Sequence, residues 1–203
     1  RDLVRLFKSA VSYVSGKGID ATDRTLIVAI ILGTIPAVIA GLLLETKMET
    51  VFRSASLVAL MLIAGSVVMA GGELVAARYA RGPLTLKKGV GIGLFQCLAL
   101  IPGFSRSGAT ISGGLLLGLT RENAARFGFL LSVPIILGSG LKKLFELETG
   151  NSIGLPLVAG SLVAFIVGLS AIHLLMRYLR TRTLWVFMWY RLALAAVVLL
   201  LVF

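Results

Sequence analysis

The chain has 203 residues, of which 58% are hydrophobic and 14% charged, and its formal net charge is +11. Soluble domains run at about 45–50% apolar and about 25% charged residues, so this composition excludes an ordinary soluble domain. The positive charge does not mark a nucleic-acid binder either, because such proteins gather their basic residues on one soluble face, whereas here Lys and Arg sit in short segments between apolar runs.

Residues 1–24 mix charges with Ser12, Ser15, Gly16 and Gly18, and the Leu3, Val4, Phe7, Val11, Val14 spacing predicts a short interfacial helix. This segment is expected to be an amphipathic cytoplasmic connector. Apolar stretches then follow at 26–44, 54–76, 124–141, 153–176 and 184–203. They match the roughly 17–25 residues that a spanning helix needs. Pro134 is expected to kink the 124–141 stretch, and Trp185, Trp189 and Tyr190 to form an interfacial aromatic belt. The fold class is therefore all-α integral membrane, a polytopic helical bundle.

Basic residues are retained preferentially on the cytoplasmic side of membrane proteins. Placing residues 1–24 inside puts 14 of the 20 basic residues inside and 4 outside, leaving only Arg106 and Arg191 within apolar segments. Lys88 and Arg121 then share a side, so residues 89–120 must enter the membrane and return. Arms of this length are short for full spans at about 1.5 Å per residue. A re-entrant helix–loop–helix is predicted, with its tip toward the outer half. A second pattern, Gly33-Thr34…Ala37…Gly41, recurs as Gly160-Ser161…Ala164…Gly168 in a helix of opposite direction. That is the arrangement of one half of an inverted-topology repeat, although small residues are common wherever membrane helices pack.

The hairpin tip carries the chemistry. Pro102-Gly103-Phe104-Ser105-Arg106-Ser107-Gly108-Ala109-Thr110 sets an arginine among hydroxyls and glycines, in a stretch otherwise without charge from Gly89 to Thr120. An ionisable side chain within a membrane segment is a functional-site hypothesis. Pro102 and Gly103 end one half-helix and Ser107 opens the next, whose free N–H groups and positive dipole end favour a phosphoryl group. Arg106, Ser105, Ser107 and Thr110 add donors, and Gly108 permits close backbone approach. No Asp, Glu or His lies between Glu73 and Glu122. On this reading the loop binds phosphate, and hydrolysis needs partners from elsewhere.

Other polar residues have narrower readings. Gln96 could bond substrate or the backbone freed at Pro102. Arg191, about 12 Å into the last helix, is expected to snorkel or pair with Glu73 rather than bind substrate. Glu73 reads as an interfacial ion-pair partner. His173, the one histidine, reads as a surface residue near Arg177, and Cys97, the one cysteine, excludes an intrachain disulfide.

The run Phe95-Gln96-Cys97-Leu98-Ala99-Leu100-Ile101-Pro102-Gly103-Phe104-Ser105-Arg106-Ser107-Gly108-Ala109-Thr110-Ile111-Ser112-Gly113-Gly114 resembles the arginine-bearing signature of the bacterial undecaprenyl-diphosphate phosphatase, or bacitracin-resistance, family. The resemblance extends to Gly33-Thr34-Ile35-Pro36-Ala37 and to Tyr190-Arg191. It implies removal of the terminal phosphate of undecaprenyl diphosphate, regenerating a lipid carrier for wall polymers and giving bacitracin resistance. It also implies a multi-pass protein of the bacterial inner membrane with its site toward the outer face, and a divalent metal, Mg or Ca. Catalytic roles would fall to Arg106, Ser105 and Thr110. Substrate contacts would fall to Ser107, Gly108, Ala109, Gly103 and Gln96. The family's second signature, a glutamate-rich stretch with Ser-Ser-Thr-Gly-His on an N-terminal hairpin, does not occur in these residues. The chain is accordingly expected to represent the C-terminal portion, to lack the metal ligands and to be inactive alone. Expected partners are a polyprenyl diphosphate, membrane lipids and a possible second copy, with no nucleic acid. A polyprenyl-phosphate transporter or flippase is the alternative, because re-entrant hairpins are also transporter architecture.

Overall fold

The structure, a computed structural model, describes residues 2–16, 18–50, 54–79, 82–146 and 154–202. Among them the chain forms eight α-helices: α1 Asp2–Val14, α2 Ala21–Thr50, α3 Ala55–Arg78, α4 Leu86–Cys97, α5 Arg106–Leu116, α6 Arg121–Glu146, α7 Leu155–Leu179 and α8 Trp185–Val202. A 3-10 turn, Leu98–Leu100, extends α4. Five helices (α2, α3, α6, α7 and α8) are long and apolar enough to cross a bilayer. The protein is a polytopic all-helical membrane protein.

Helix bounds differ from the sequence expectation mainly at polar ends. Helix α2 begins at Ala21, where Asp20 Oδ1 accepts the Thr22 N–H at 3.3 Å, and it continues to Thr50. Helix α6 begins at Arg121 and runs through Pro134 to Glu146 as one element. Residues 51–53 and 147–152, which fall between expected spans, residue 153, the expected start of one span, and the predicted end at 203 lie outside the described residues.

Helices α4 and α5, with 12 and 11 residues, reach about 18 and 16 Å at about 1.5 Å per residue. The hydrocarbon core is about 30 Å thick. Neither arm can span it, and their open ends are tied together: the Gly82 N–H donates to the Gly118 carbonyl at 3.0 Å, and Lys88 Nζ to the same oxygen at 3.4 Å. The two short helices thus form the expected helix–loop–helix hairpin.

Lipid tails are as apolar as leucine, so close backbone approach rather than water exclusion brings such helices together. Helix α4 lies directly on α2. A Cβ on Gly89 would sit 2.7 Å from Ala29 Cβ, and one on Gly93 would overlap the Gly33 backbone. Helix α5 is hemmed in on its other faces. A Cβ on Gly113 would meet the Phe95 ring at 2.7 Å, one on Gly114 would meet Ala124 at 2.6 Å, and one on Gly72 of α3 would meet Ser112 at 3.1 Å. Ile92, Leu115, Leu119, Phe127 and Leu131 fill the core between these elements. The matching small residues of α7 do not pack in this way. Gly160 and Gly168 have nothing within 4 Å, and Leu179 is the one buried residue of α7. The two halves of the sequence pattern therefore serve different surroundings.

Helix α1 is anchored by charge. Arg5 Nη2 lies 2.8 Å from Asp23 Oδ1, Arg5 Nε donates to Asp23 Oδ2 at 3.0 Å, and the Ser9 hydroxyl donates to Oδ2 at 2.8 Å. Val4 and Val11 stay exposed, which suits the expected interfacial helix. The side chains of Leu3, Phe7 and Val14 lie outside the described residues.

Candidate functional site

The hairpin tip is an irregular loop that the rest of the bundle holds in a constrained shape. Gly103 has φ +94°, and a Cβ there would run into the Val58 carbonyl of α3. Ser105 has φ +76° and is the one non-glycine residue with positive φ among the described residues. Such backbone costs on the order of 1–3 kcal/mol and persists where surrounding contacts enforce it, commonly at functional sites. Ser105 Oγ accepts the Gly108 N–H at 3.2 Å, and the Ser105 carbonyl accepts the Ala109 N–H at 2.9 Å. Ser105 is therefore the N-cap of α5. The N–H groups of Arg106 and Ser107 have no acceptor among the described residues. They stand at the positive end of the α5 dipole, where an anion is favoured.

Arg191 explains why the loop holds this form. It is buried in α8, and its Nη2 donates to the Gly103 carbonyl at 2.8 Å, to Phe104 at 2.9 Å and to Leu62 at 3.2 Å. Its Nε donates to Ser66 Oγ at 3.4 Å. Gly65 leaves the slot on α3 that the guanidinium occupies, and a Cβ there would overlap Nη2. The expected pairing of Arg191 with Glu73 does not occur. Glu73, also buried, is held in two-point contact by Arg121, with Nε 2.9 Å from Oε2 and 3.1 Å from Oε1, and Nη2 also on Oε2. It accepts the Leu184 N–H at 2.9 Å as well. Glu73 is an ion-pair partner, as its place in the sequence suggested, but it joins α3, α6 and the start of α8.

A cavity of about 220 Å³ opens beside the loop. Ser105, Ser107, Gly108 and Arg191 form its polar wall, and Met69, Ile111, Leu184 and Phe187 are among its apolar residues.

The predicted site residues divide into two groups. Ser105, Ser107 and Gly108 come together on the cavity. The Arg106 side chain is exposed rather than buried and has no hydrogen-bond or ion-pair partner among the described residues. The buried guanidinium expected there belongs instead to Arg191. The physical reason is placement: Arg106 opens α5 at the edge of the tip, where its side chain stays at the surface, while Arg191 meets a cluster of backbone carbonyls. Thr110 turns away. It is fully buried, its hydroxyl donates to the Arg106 carbonyl at 3.0 Å, and it packs on Gly128 of α6. Ala109 is likewise buried. Gln96 is buried, and both of its amide heteroatoms lack a partner; it neither lines the cavity nor bonds the backbone at Pro102. By helical register it shares the face of Gly89 and Gly93 that lies on α2. His173 is exposed, as expected for a surface residue.

Three or more His, Cys, Asp or Glu side chains able to hold a metal do not cluster among the described residues. The nearest buried carboxylate candidate, Glu73, is already neutralised by Arg121. The residues present therefore do not fit the divalent metal that the resemblance implies.

A polytopic all-helical bundle, with a helix–loop–helix hairpin whose strained tip lies beside a cavity, defines the class as helical integral membrane protein. Comparison with known proteins narrows this class. Residues 1–197 match the family model described as bacitracin resistance protein BacA, and the chain belongs to that family. Similar proteins, each named undecaprenyl-diphosphatase, include one from Pseudarthrobacter chlorophenolicus, 39% identical over 94% of this chain and 72% of its own length. Another, from Mycolicibacterium gilvum, is 40% identical over 99% of this chain and 75% of its own length. One from Trichlorobacter lovleyi is 46% identical over 81% of this chain and 62% of its own length.

Proposed function

We propose that this chain holds the diphosphate of undecaprenyl diphosphate and serves its hydrolysis to undecaprenyl phosphate and inorganic phosphate. The observation that carries this reading is the Ser105 turn: two N–H groups without acceptors and the Ser107 hydroxyl, beside a cavity backed by Arg191. The names of the related proteins support the substrate and the reaction.

Phosphoryl transfer asks mainly for positioning and for neutralisation of charge on the phosphoryl oxygens. In this reading the N–H groups of Arg106 and Ser107 and the Ser107 hydroxyl bind oxygens of the terminal phosphate. The Arg106 guanidinium, free to swing over the cavity mouth, takes a two-point grip on the same group. Water attacks the terminal phosphorus, the bridging P–O bond breaks, and its electron pair leaves with the lipid monophosphate. The proton acceptor for that water is not among the residues around the loop, so these residues bind and orient. The resemblance places the carboxylates, the histidine and a serine on an N-terminal hairpin, and these residues alone are expected to bind diphosphate without turnover. The distribution of basic residues supports a plasma-membrane protein with the hairpin tip in the outer half.

The re-entrant hairpin also favours a second reading, transport of a polyprenyl phosphate. In a preparation that also carries the N-terminal hairpin the resemblance implies, release of inorganic phosphate in detergent, where there are no two sides, supports the phosphatase. Movement of lipid across vesicles without phosphate release would replace it with the transporter.

A further inference from the structure

Helices α3 and α8 are joined by two polar rungs. At one, the Leu184 N–H donates to Glu73 Oε1 at 2.9 Å; at the other, Arg191 Nε donates to Ser66 Oγ at 3.4 Å. The rungs are two helical turns apart on both helices, about 10.5 Å, and the buried Met69 and Met188 lie between them along the chain. We propose that Glu73 is a positioning residue for the Ser105 loop: it fixes where α8 begins against α3, and so sets the height of Arg191 beneath the Gly103 and Phe104 carbonyls. In its effect on ligand, this role rests on the proposed diphosphate site.

The start of α8 has no cap of its own. The helix begins at Trp185, and the residue before it, Leu184, is buried and carries no side-chain oxygen to accept from the first turn. Glu73 supplies an acceptor from α3 instead. Its carboxylate takes the Leu184 N–H and lies at the positive end of the α8 dipole. Arg121, the first residue of α6, grips both oxygens of that carboxylate. Buried and held in this way, Glu73 cannot follow α8 if that helix slides.

Helix α3 is the common support of the loop and of its prop. A Cβ on Gly72, next to Glu73, would lie 3.1 Å from Ser112 Cα of α5, and one on Gly108 would lie 3.2 Å from Met69 Sδ. The start of α5 is therefore packed on α3, whereas Arg191 reaches the Gly103 and Phe104 carbonyls from α8. Any slide of α8 along α3 moves the guanidinium against those carbonyls. A slide of one residue is about 1.5 Å, which takes bonds of 2.8 and 2.9 Å to the edge of hydrogen-bond range or past it.

The test compares two variants of the full chain, Glu73→Gln with Arg121→Gln and Glu73→Met with Arg121→Gln. Both lose the same ion pair without stranding a charge, and they differ only in the acceptor offered to Leu184. Trp185 directly follows Leu184, and with Trp189→Phe in every protein compared it is the single tryptophan, so its emission reports the start of α8. The glutamine variant should keep the parent emission and the parent hydrogen exchange of peptides covering residues 103–110. The methionine variant should shift the emission and speed that exchange about three- to tenfold, the range of one lost hydrogen bond. Its affinity for undecaprenyl diphosphate should fall by a similar factor. Equal loop exchange in the two variants, fast or slow, overturns the proposal, because a merely anchoring ion pair is lost from both. Failure of the parent protein to bind undecaprenyl diphosphate overturns the proposed function instead, and the loop exchange still decides the role of Glu73.

Discussion

Arg191 Nη2 lies 2.8 Å from the carbonyl oxygen of Gly103, so the last helix of the chain fixes the loop that precedes α5. The same nitrogen reaches Phe104, which places one buried charge under both residues immediately before Ser105. Removing it strands two carbonyls and opens the slot beside Gly65. Hydrogen bonds to a charged group are worth about 1.5–3 kcal/mol each, so Arg191→Met is expected to cost about 3 kcal/mol or more in detergent unfolding and to weaken diphosphate binding. Arg191→Lys should restore little of either, since an ammonium cannot span the Gly103, Phe104 and Ser66 acceptors from one position. Wild-type loop behaviour in Arg191→Met, by unfolding midpoint and diphosphate affinity, would dismiss this role.

Arg106 calls for the opposite experiment. Its side chain is exposed and makes no hydrogen bond or ion pair among the described residues, so Arg106→Ala should leave the unfolding midpoint unchanged. In a preparation that hydrolyses undecaprenyl diphosphate, kcat/KM should fall by about 10²–10³-fold, the loss typical of one donor to developing oxyanion charge. Near-normal turnover would remove Arg106 from the mechanism.

Ser105 combines a backbone strain with a cap. Ser105→Ala keeps the φ of +76° but loses the oxygen that accepts from Gly108, which should cost about 1 kcal/mol. Ser105→Gly loses the same cap but relieves strain worth about 1–3 kcal/mol. Glycine should therefore be at least as stable as serine and alanine less stable, with diphosphate binding reduced in both. The ordering is read directly by chemical or thermal unfolding of the three proteins.

The membrane fold was legible because span length and charge asymmetry act locally along the chain, and the hairpin followed from Lys88 and Arg121 sharing a side. The turn at Ser105 was legible too, since Pro102, Gly103 and Gly108 dictate it. The division of labour between two arginines was not. Arg106 and Arg191 look alike in an apolar context, and only the slot made by Gly65 and Ser66, over 120 residues from Arg191, decides which one is buried. Thr110 was misplaced for a related reason: one turn into α5 its direction is set by contact with Gly128, which the local motif does not encode. Glu73 was read as an ion-pair residue, but its partner depended on how α6 docks.

The repeated glycine pattern offers a last contrast, because identical residues sit in unlike surroundings. A Cβ on Gly33, the counterpart of Gly160, would lie 2.8 Å from the Gly89 carbonyl oxygen, and helices α2 and α4 would have to separate. Gly33→Ala is therefore expected to destabilise by about 1–3 kcal/mol, the usual cost of overpacking, and to shift the hairpin that α4 carries, weakening diphosphate binding as well. Gly160, with nothing within 4 Å, has no neighbour to displace, and Gly160→Ala should gain about 0.5–1 kcal/mol from helix propensity alone. Parallel unfolding of the two variants checks this. Equal destabilisation would mean that α7 has a packing partner at Gly160 comparable to the one α4 presents to α2.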